Sequence, residues 1–428
     1  MGHRLLFLVL LVVVGSAWFA GPANFEVNTA AIDSGDTAWM LVSSAFVLLM
    51  TPGLAFFYGG LVHRKHIIST MLQSFVALGV VTVLWVLVGF SLCFGESIGG
   101  IIGNPMSYFA FRGVGLNPNP DFAGTIPFLL FALFQLKFAI ITPALITGSM
   151  AGRIRFRSYI LFMVLFSLLI YAPLAHMTWH PNGLLRTAGV LDFAGGTVVH
   201  MSAGLAALAG ALFLGRRSNP REEEPANIPF VILGTGMLWF GWFGFNAGSA
   251  FGASTDAVLA FANTNIASAT AMITWMFYER FQNRKMSAVG ACIGAIVGLV
   301  AITPAAGFVS PGESLMIGCC AALVCNFAMR IQRHSRVDDT LEVFPSHGIG
   351  GIVGMLMTAL LAREVGLIHG GGWAPFLVHI VALLGTIAFT FGGAFLLFTL
   401  VNAIIPLRVT EEQESRGLDL SQHGESMS

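Results

Sequence analysis

Eleven predominantly apolar stretches, most of them 20 residues or longer, run through this chain with short connections between them. They fall at approximately 39–61, 67–91, 126–150, 158–177, 193–215, 228–250, 259–279, 287–305, 313–331, 344–362 and 375–405. A helix of ~20 apolar residues matches the hydrocarbon thickness of a bilayer, where only a helix or a closed barrel satisfies its own backbone. The pattern therefore predicts an all-α polytopic membrane protein. Only 10% of the 428 residues are charged, against roughly 25% in a soluble domain, so a charged aqueous shell is not available. The 21 Lys and Arg balance 21 Asp and Glu, which leaves no basic excess for binding nucleic acid. Cys93, Cys292, Cys319, Cys320 and Cys325 lie in apolar stretches without zinc-ligand spacing and read as small core residues.

Residues 1–23 have the shape of a secretory signal: His3 and Arg4, an apolar run from Leu5 to Val14, then small residues at Ser16–Ala17 and Pro22–Ala23. Cleavage would leave the mature N-terminus outside the cytoplasm; the alternative is an uncleaved extra helix. Eleven spans from an outside start place the C-terminus inside. Of the 21 Lys and Arg, 16 fall in the segments this topology puts inside and three, Arg112, Arg186 and Arg363, fall outside, as the positive-inside rule requires. The chain divides into a signal (1–23), a membrane domain (24–407) and a polar, acidic cytoplasmic tail (408–428). The tail reads either as a solvated, disordered end or as a regulatory segment. The loop over about 92–125, rich in Gly, Asn and Pro, is the expected cap of the outer face.

An internal repeat carries most of the functional signal. Asp192-Phe-Ala-Gly-Gly-Thr-Val-Val-His200 and Asp339-Thr-Leu-Glu-Val-Phe-Pro-Ser-His347 each place a His eight residues after an Asp, at the openings of the fifth and tenth spans. Each His lies about 12 Å deeper than its Asp at ~1.5 Å per residue. Five is an odd number, so the halves run through the membrane in opposite senses: an inverted 5+5 repeat plus a long final helix. Such repeats place their site near the midplane, at the repeat interface. His200 and His347 are then expected to meet at the centre, where ionisable groups are costly and mark pathways. Neutral imidazoles carry one donor and one acceptor and can pass a hydrogen bond or a proton. Asp192 and Asp339 either cap their helices or help to stabilise a cation.

These stretches, with Thr-Pro-Gly-Leu-Ala-Phe-Phe-Tyr-Gly-Gly-Leu (51–61), Gly-Trp-Phe-Gly-Phe-Asn-Ala-Gly-Ser (241–249) and the Val-Asp-Asp and His-Gly of 337–348, resemble the ammonium transporter (Amt/Mep/Rh) family, in particular its bacterial Amt branch. The resemblance implies a homotrimer in the inner cell membrane with one pore per subunit, carrying ammonium or ammonia with methylammonium as an analogue, and no cofactor. Trp179, Phe138 and Ser249 correspond to an outer recruitment site, where aromatic faces attract a cation and a hydroxyl accepts a hydrogen bond. Phe138 and Phe245 correspond to a stacked gate, with Phe134 one turn away on the same helix face. His200 and His347 correspond to twin pore histidines, Asp192 to the carboxylate beneath the recruitment site, Asp339 to its counterpart, and Trp242 and Thr303 to further positions along the path. The tail resembles the family's C-terminal segment, which implies coupling between subunits and contact with a PII-type signal protein.

Glu342 and Pro345-Ser346 depart from the family pattern, and so does Lys137, one residue before Phe138. A charged Lys deep in a span needs a partner or must snorkel. It lies about 60° from Phe134 on a helical wheel, beside the pore-facing side. Two readings stand: it reaches polar groups between helices or subunits, or it approaches the path and modulates conduction. The resulting functional expectation is a transporter that recruits ammonium outside, removes its proton near the gate and passes ammonia through a twin-His pore. The alternative is an ammonium sensor that conducts little and signals through its tail. No metal set, nucleophile motif or cofactor loop in the sequence supports a membrane enzyme.

Overall fold

The computed structural model describes residues 3–16, 18, 31–218 and 224–427. It is almost entirely helical. Helix α1 (His3–Ser16) is too short to span, and most of the expected cleavage region after it lies outside the described residues. Among the described residues, ten helical segments are long and apolar enough to cross a membrane: α2 (Ser34–Leu61), α3 (Arg64–Phe94), α4 (Phe128–Met150), α5 (Phe156–Thr187), α6 (Gly196–Leu214), α7 (Ile228–Ala250), α8 (Thr255–Phe281), α10 (Pro311–His334), α11 (Phe344–Leu361) and α12 (Trp373–Ile404). The remaining apolar segment is shorter than its sequence suggests. Helix α9 (Ala288–Ile302) stops where Thr303-Pro304 begins a turn, and the Pro304 carbonyl there accepts the Phe193 backbone N–H at 3.1 Å. A final short helix, α13 (Glu411–Arg416), lies in the tail.

Helix entries follow local chemistry. Asp33, Asn227, Ser254, Ser287 and Ser310 each accept a first-turn N–H, and Ser310 with Glu313 forms a reciprocal capping box at α10. Inside the bundle, packing depends on small residues because lipid offers no hydrophobic drive between helices. At Gly234 on α7 a Cβ would meet the Phe57 backbone nitrogen of α2 at 2.3 Å, so these two helices, the first of each repeat, touch backbone to backbone. Leu41, Ile232, Phe277 and Leu396 face outward with 52–68% exposure. The connection over 92–125 folds onto the bundle: a small hairpin of β1 (Ser97–Ile98) and β2 (Ile102–Gly103) is followed by a loop whose Phe122 stacks on Phe128 and Phe131. The cysteines are free, with Cys319 and Cys320 only half-buried rather than in the core.

The arginine-rich connections collect at one end of the bundle. Arg153, fully buried, donates to the Asp338 carbonyl and to Thr340 Oγ1 at 2.7 Å. Burial pulls its pKa down to about 10, with Asp338 and Asp339 opposing the shift, so it stays charged at neutral pH. Arg217 Nη2 meets Asp338 Oδ1 at 2.9 Å. Burial tends to raise the Asp338 carboxyl, but Arg217 and Arg153 outweigh it and hold the group below its usual range. The tail folds across this same end. Asp419 accepts from Ile68 N and Ser69 N at 3.0 and 2.7 Å, capping α3 from the far end of the sequence. Glu414 accepts from Arg408 and from Ser218 N, Gln422 accepts from Phe156 N, and Leu418 N donates to His66 Nδ1 at 3.1 Å. The reading of a free, solvated tail is therefore corrected: Asp419 and Glu414 accept backbone N–H groups of other elements, and Glu414 also pairs with Arg408.

Candidate functional site

Both His-bearing helices begin the same way. Asp192 Oδ1 accepts from Gly195 N and Gly196 N at 2.8 and 2.7 Å, while Oδ2 accepts from Thr197 N at 2.8 Å and from Thr197 Oγ1. Asp339 accepts from Val343 N at 3.1 Å and Phe344 N at 2.7 Å. Each carboxylate satisfies the orphan donors of a helix start, and each helix then opens with a wide π-turn, Gly196–Met201 and Phe344–Ile349, that holds the His. Burial raises the Asp339 carboxyl to about 6 against the pull of the Phe344 and Val343 N–H groups. Asp192 has both oxygens engaged in capping hydrogen bonds and is 6% exposed.

The two helix openings cross at glycines. A Cβ on Gly204 would lie 2.1 Å from the Gly348 nitrogen and 2.3 Å from its Cα, a contact only hydrogen permits. This close crossing brings His200 Nδ1 within 3.3 Å of His347 Nδ1. A shared Nδ1 proton leaves one ring with a free Nε2 acceptor and the other with an Nε2–H donor. His200 Nε2 is buried and has no hydrogen-bond partner among the described residues. The pair lines a chamber with Val199, Leu238, Trp242 and Phe245. Its free volume is about 10 Å³, roughly what one water-sized molecule requires.

Aromatic rings close the chamber on the side toward Trp179. Phe138 and Phe245 lie 4.2 Å apart at 33°, and Phe138 meets Trp179 edge-on at 5.9 Å. Phe134 packs on Phe138 at 5.0 Å, and Phe245 lies 5.9 Å from His200. Trp179 and Ser249 are half-buried while Phe138 and Phe245 are sealed in, so polarity and exposure both fall from the mouth inward. Trp179 Nε1 donates to the Asp192 carbonyl at 3.2 Å, and Ser249 Oγ donates to the Phe245 carbonyl at 2.8 Å, leaving the hydroxyl oxygen's lone pairs free. Trp242 stacks on His200 at 5.3 Å and donates to Thr303 Oγ1 at 2.9 Å.

Lys137 does not join this arrangement. Phe134 and Phe138 are buried, whereas Lys137 is half-buried on the same stripe of α4 as half-buried Leu129 and exposed Leu133. It is absent from the chamber lining and makes no hydrogen bond or ion pair among the described residues. The 60° offset from Phe134 is enough to turn the side chain away from the chamber. Two supporting groups escaped the sequence reading. His379 on α12 accepts the Leu191 N–H at 2.9 Å and donates from Nδ1 to the Pro375 carbonyl, fixing the chain just before Asp192. Phe251, in a left-handed turn with φ 57°, packs on Phe134 at 5.9 Å. An ionisable group inside the last apolar stretch was the available signal for His379; Phe251 offered none among 37 phenylalanines.

The sequence profile of the Ammonium Transporter Family matches residues 38–428. An ammonium transporter of Aquifex aeolicus is 46% identical over 406 residues, covering 93% of this chain and 94% of that protein. One from Bacillus subtilis is 43% identical over 402 residues, covering 91% and 98%. Among solved structures, Mep2 of Saccharomyces cerevisiae is similar with a TM-score of 0.83 at 33% identity, over 92% of this chain and 94% of that one. A structure described as a sensor Amt protein is similar with a TM-score of 0.84 at 29% identity, over 91% and 98%.

Proposed function

Because this chain belongs to the ammonium transporter family, we propose that it moves ammonium nitrogen across the cell membrane through the chamber between Phe245 and His347. The observation that carries this reading is the buried, unpartnered Nε2 of His200 behind a two-ring gate. An unsatisfied buried polar atom costs about 1–3 kcal/mol, and a passing N–H donor supplies the missing bond.

Ammonium is recruited at the mouth by the faces of Trp179 and Phe138 and by the Ser249 hydroxyl. Carrying the bare cation further costs several kcal/mol in desolvation, whereas neutral ammonia passes a chamber of this size without that penalty. The proton is released near the gate, and ammonia recaptures one at the Arg-rich end. The Nδ1–Nδ1 contact supports a relay in which the two imidazoles hand a proton along the same line. Asp192 contributes by holding Trp179 through its carbonyl and by fixing the His200 helix. In the membrane the Arg-rich end faces the cytoplasm by the positive-inside rule, after removal of residues 1–23. Three copies assemble, each with its own pore, and the docked tail offers the surface for a PII-type protein.

Ammonium-driven currents in proteoliposomes test this. The wild type is expected to give currents that His200→Ala or His347→Ala abolishes or changes in selectivity between ammonium and methylammonium. Unchanged flux and unchanged discrimination in both variants would remove the relay. Saturable ammonium binding without flux would instead favour the sensor reading, which the likeness to a sensor Amt protein and the docked tail support.

A further inference from the structure

The cations at the Arg-rich end are unevenly used. Arg153, Arg217 and Arg408 are tied to Asp338 and Glu414, and Arg155 and Arg216 donate to carbonyls. Arg280, Arg284, Lys285, Arg330 and Arg336 have no side-chain hydrogen bond or ion pair among the described residues, and all five belong to one corner, the ends of α8 and α10 and the turn into α9. Two of them, Arg284 and Arg330, line a cleft of about 510 Å³ together with Arg333, His334, Gln282 and Asn326.

The cleft's acid forms no ion pair with them among the described residues. Glu279 is 7% exposed and its two oxygens accept the Ser287 N–H and hydroxyl at 2.9 and 3.1 Å. Gly290 makes room for it, since a Cβ there would sit 2.4 Å from Glu279 Oε1. Arg333 is paired with Glu342. Asn326 is only 5% exposed, and its amide makes no hydrogen bond among the described residues. The cleft thus offers two free guanidinium groups and a buried, unused amide. Guanidinium forks match phosphate oxygens bidentately, and basic pockets between the ends of membrane helices suit anionic headgroups. Exposed Phe281 and Ile331 lie next to Arg280 and Arg330 in the chain.

We propose that this cleft between α8, α9 and α10 is a phosphate-group site, separate from the conduction chamber. A phospholipid headgroup and a soluble phosphate share the chemistry it selects. The test uses the purified full chain in neutral detergent, titrated with short-chain phosphatidylglycerol, with phosphatidylcholine of equal chain length, and with inorganic phosphate, reading thermal stability and affinity. The joint substitution Arg284→Gln and Arg330→Gln is expected to weaken binding about 25-fold, roughly five-fold or ~1 kcal/mol per cation. Arg112→Gln at the opposite end leaves binding unchanged. An unaltered unfolding temperature of the double variant without ligand shows that it folds. Arginine-dependent binding of phosphatidylglycerol but not of phosphate assigns the site to lipid; the same dependence for inorganic phosphate assigns it to a soluble anion. No binding, equal stabilisation by phosphatidylcholine, or binding that survives the double substitution overturns the proposal.

Discussion

Gly204→Ala isolates the contact that holds the two histidines together. Its Cβ would stand 2.1 Å from the Gly348 nitrogen, where ordinary van der Waals contact begins at 3.4 Å, so the helix openings must part by about 1.3 Å. Transmitted to the site, that displacement stretches the 3.3 Å Nδ1–Nδ1 contact to about 4.6 Å, beyond hydrogen bonding. Overpacking costs about 1–3 kcal/mol, of which the gain in helix propensity returns up to ~1 kcal/mol. The variant is therefore expected to fold with slightly reduced stability. Its transport is affected far more, because a misplacement of ~1 Å between reacting groups can cost on the order of 100-fold. Currents on a solid-supported membrane, normalised to reconstituted protein, should fall at least about ten-fold. Gly385→Ala is the control, since its Cβ meets nothing within 4 Å, and should conduct as the wild type does. A well-folded Gly204→Ala protein with wild-type currents would refute the reasoning that the His–His contact serves conduction.

Asp192→Asn replaces one acceptor of a fully used carboxylate by a donor and should cost about 1.5–3 kcal/mol; a lowered unfolding temperature with a changed Trp179 emission is expected, and no change in either would contradict the capping role. Asp419→Ala removes the cap on α3 and should cost about 1 kcal/mol, read as faster hydrogen exchange at residues 67–70; unchanged exchange there would mean that the tail does not hold α3. Asp339 has a folded pKa of about 6 against 3.8 for the free side chain, so the folded state binds its proton more tightly. Its contribution to stability is fully present below pH 3.8 and is lost as pH rises through about 6. Asp338, held below its ordinary range, stays ionised over most of this interval. Wild type should accordingly gain stability relative to Asp339→Asn as pH is lowered from 7 to 4, and parallel curves for the two proteins would exclude the effect.

The membrane class, the positions of the spans and the meeting of His200 with His347 were legible in the sequence. Each rests on signals that are local or periodic: apolar runs matched to bilayer thickness, charge bias between loops, and two copies of one Asp-to-His spacing. The shorter α9 was missed because hydropathy runs on through Thr303-Pro304 although the helix does not. For Asp192 and Asp339 the sequence left two roles open, and counting donors around each carboxylate favours the cap.

What the sequence alone determined is which residues must leave water and which few polar groups go with them, since transfer free energy depends on composition along a stretch. The tertiary structure decided where those groups point. A 60° rotation on α4 separates the outward Lys137 from Phe134 and Phe138, the tail's Asp419 finds N–H groups some 350 residues away, and five cations without a side-chain partner among the described residues gather at one corner. Such facts depend on which backbones approach closely enough for hydrogen bonds of about 3 Å, and here that approach is set by glycines on different helices, in contacts no single stretch of sequence contains.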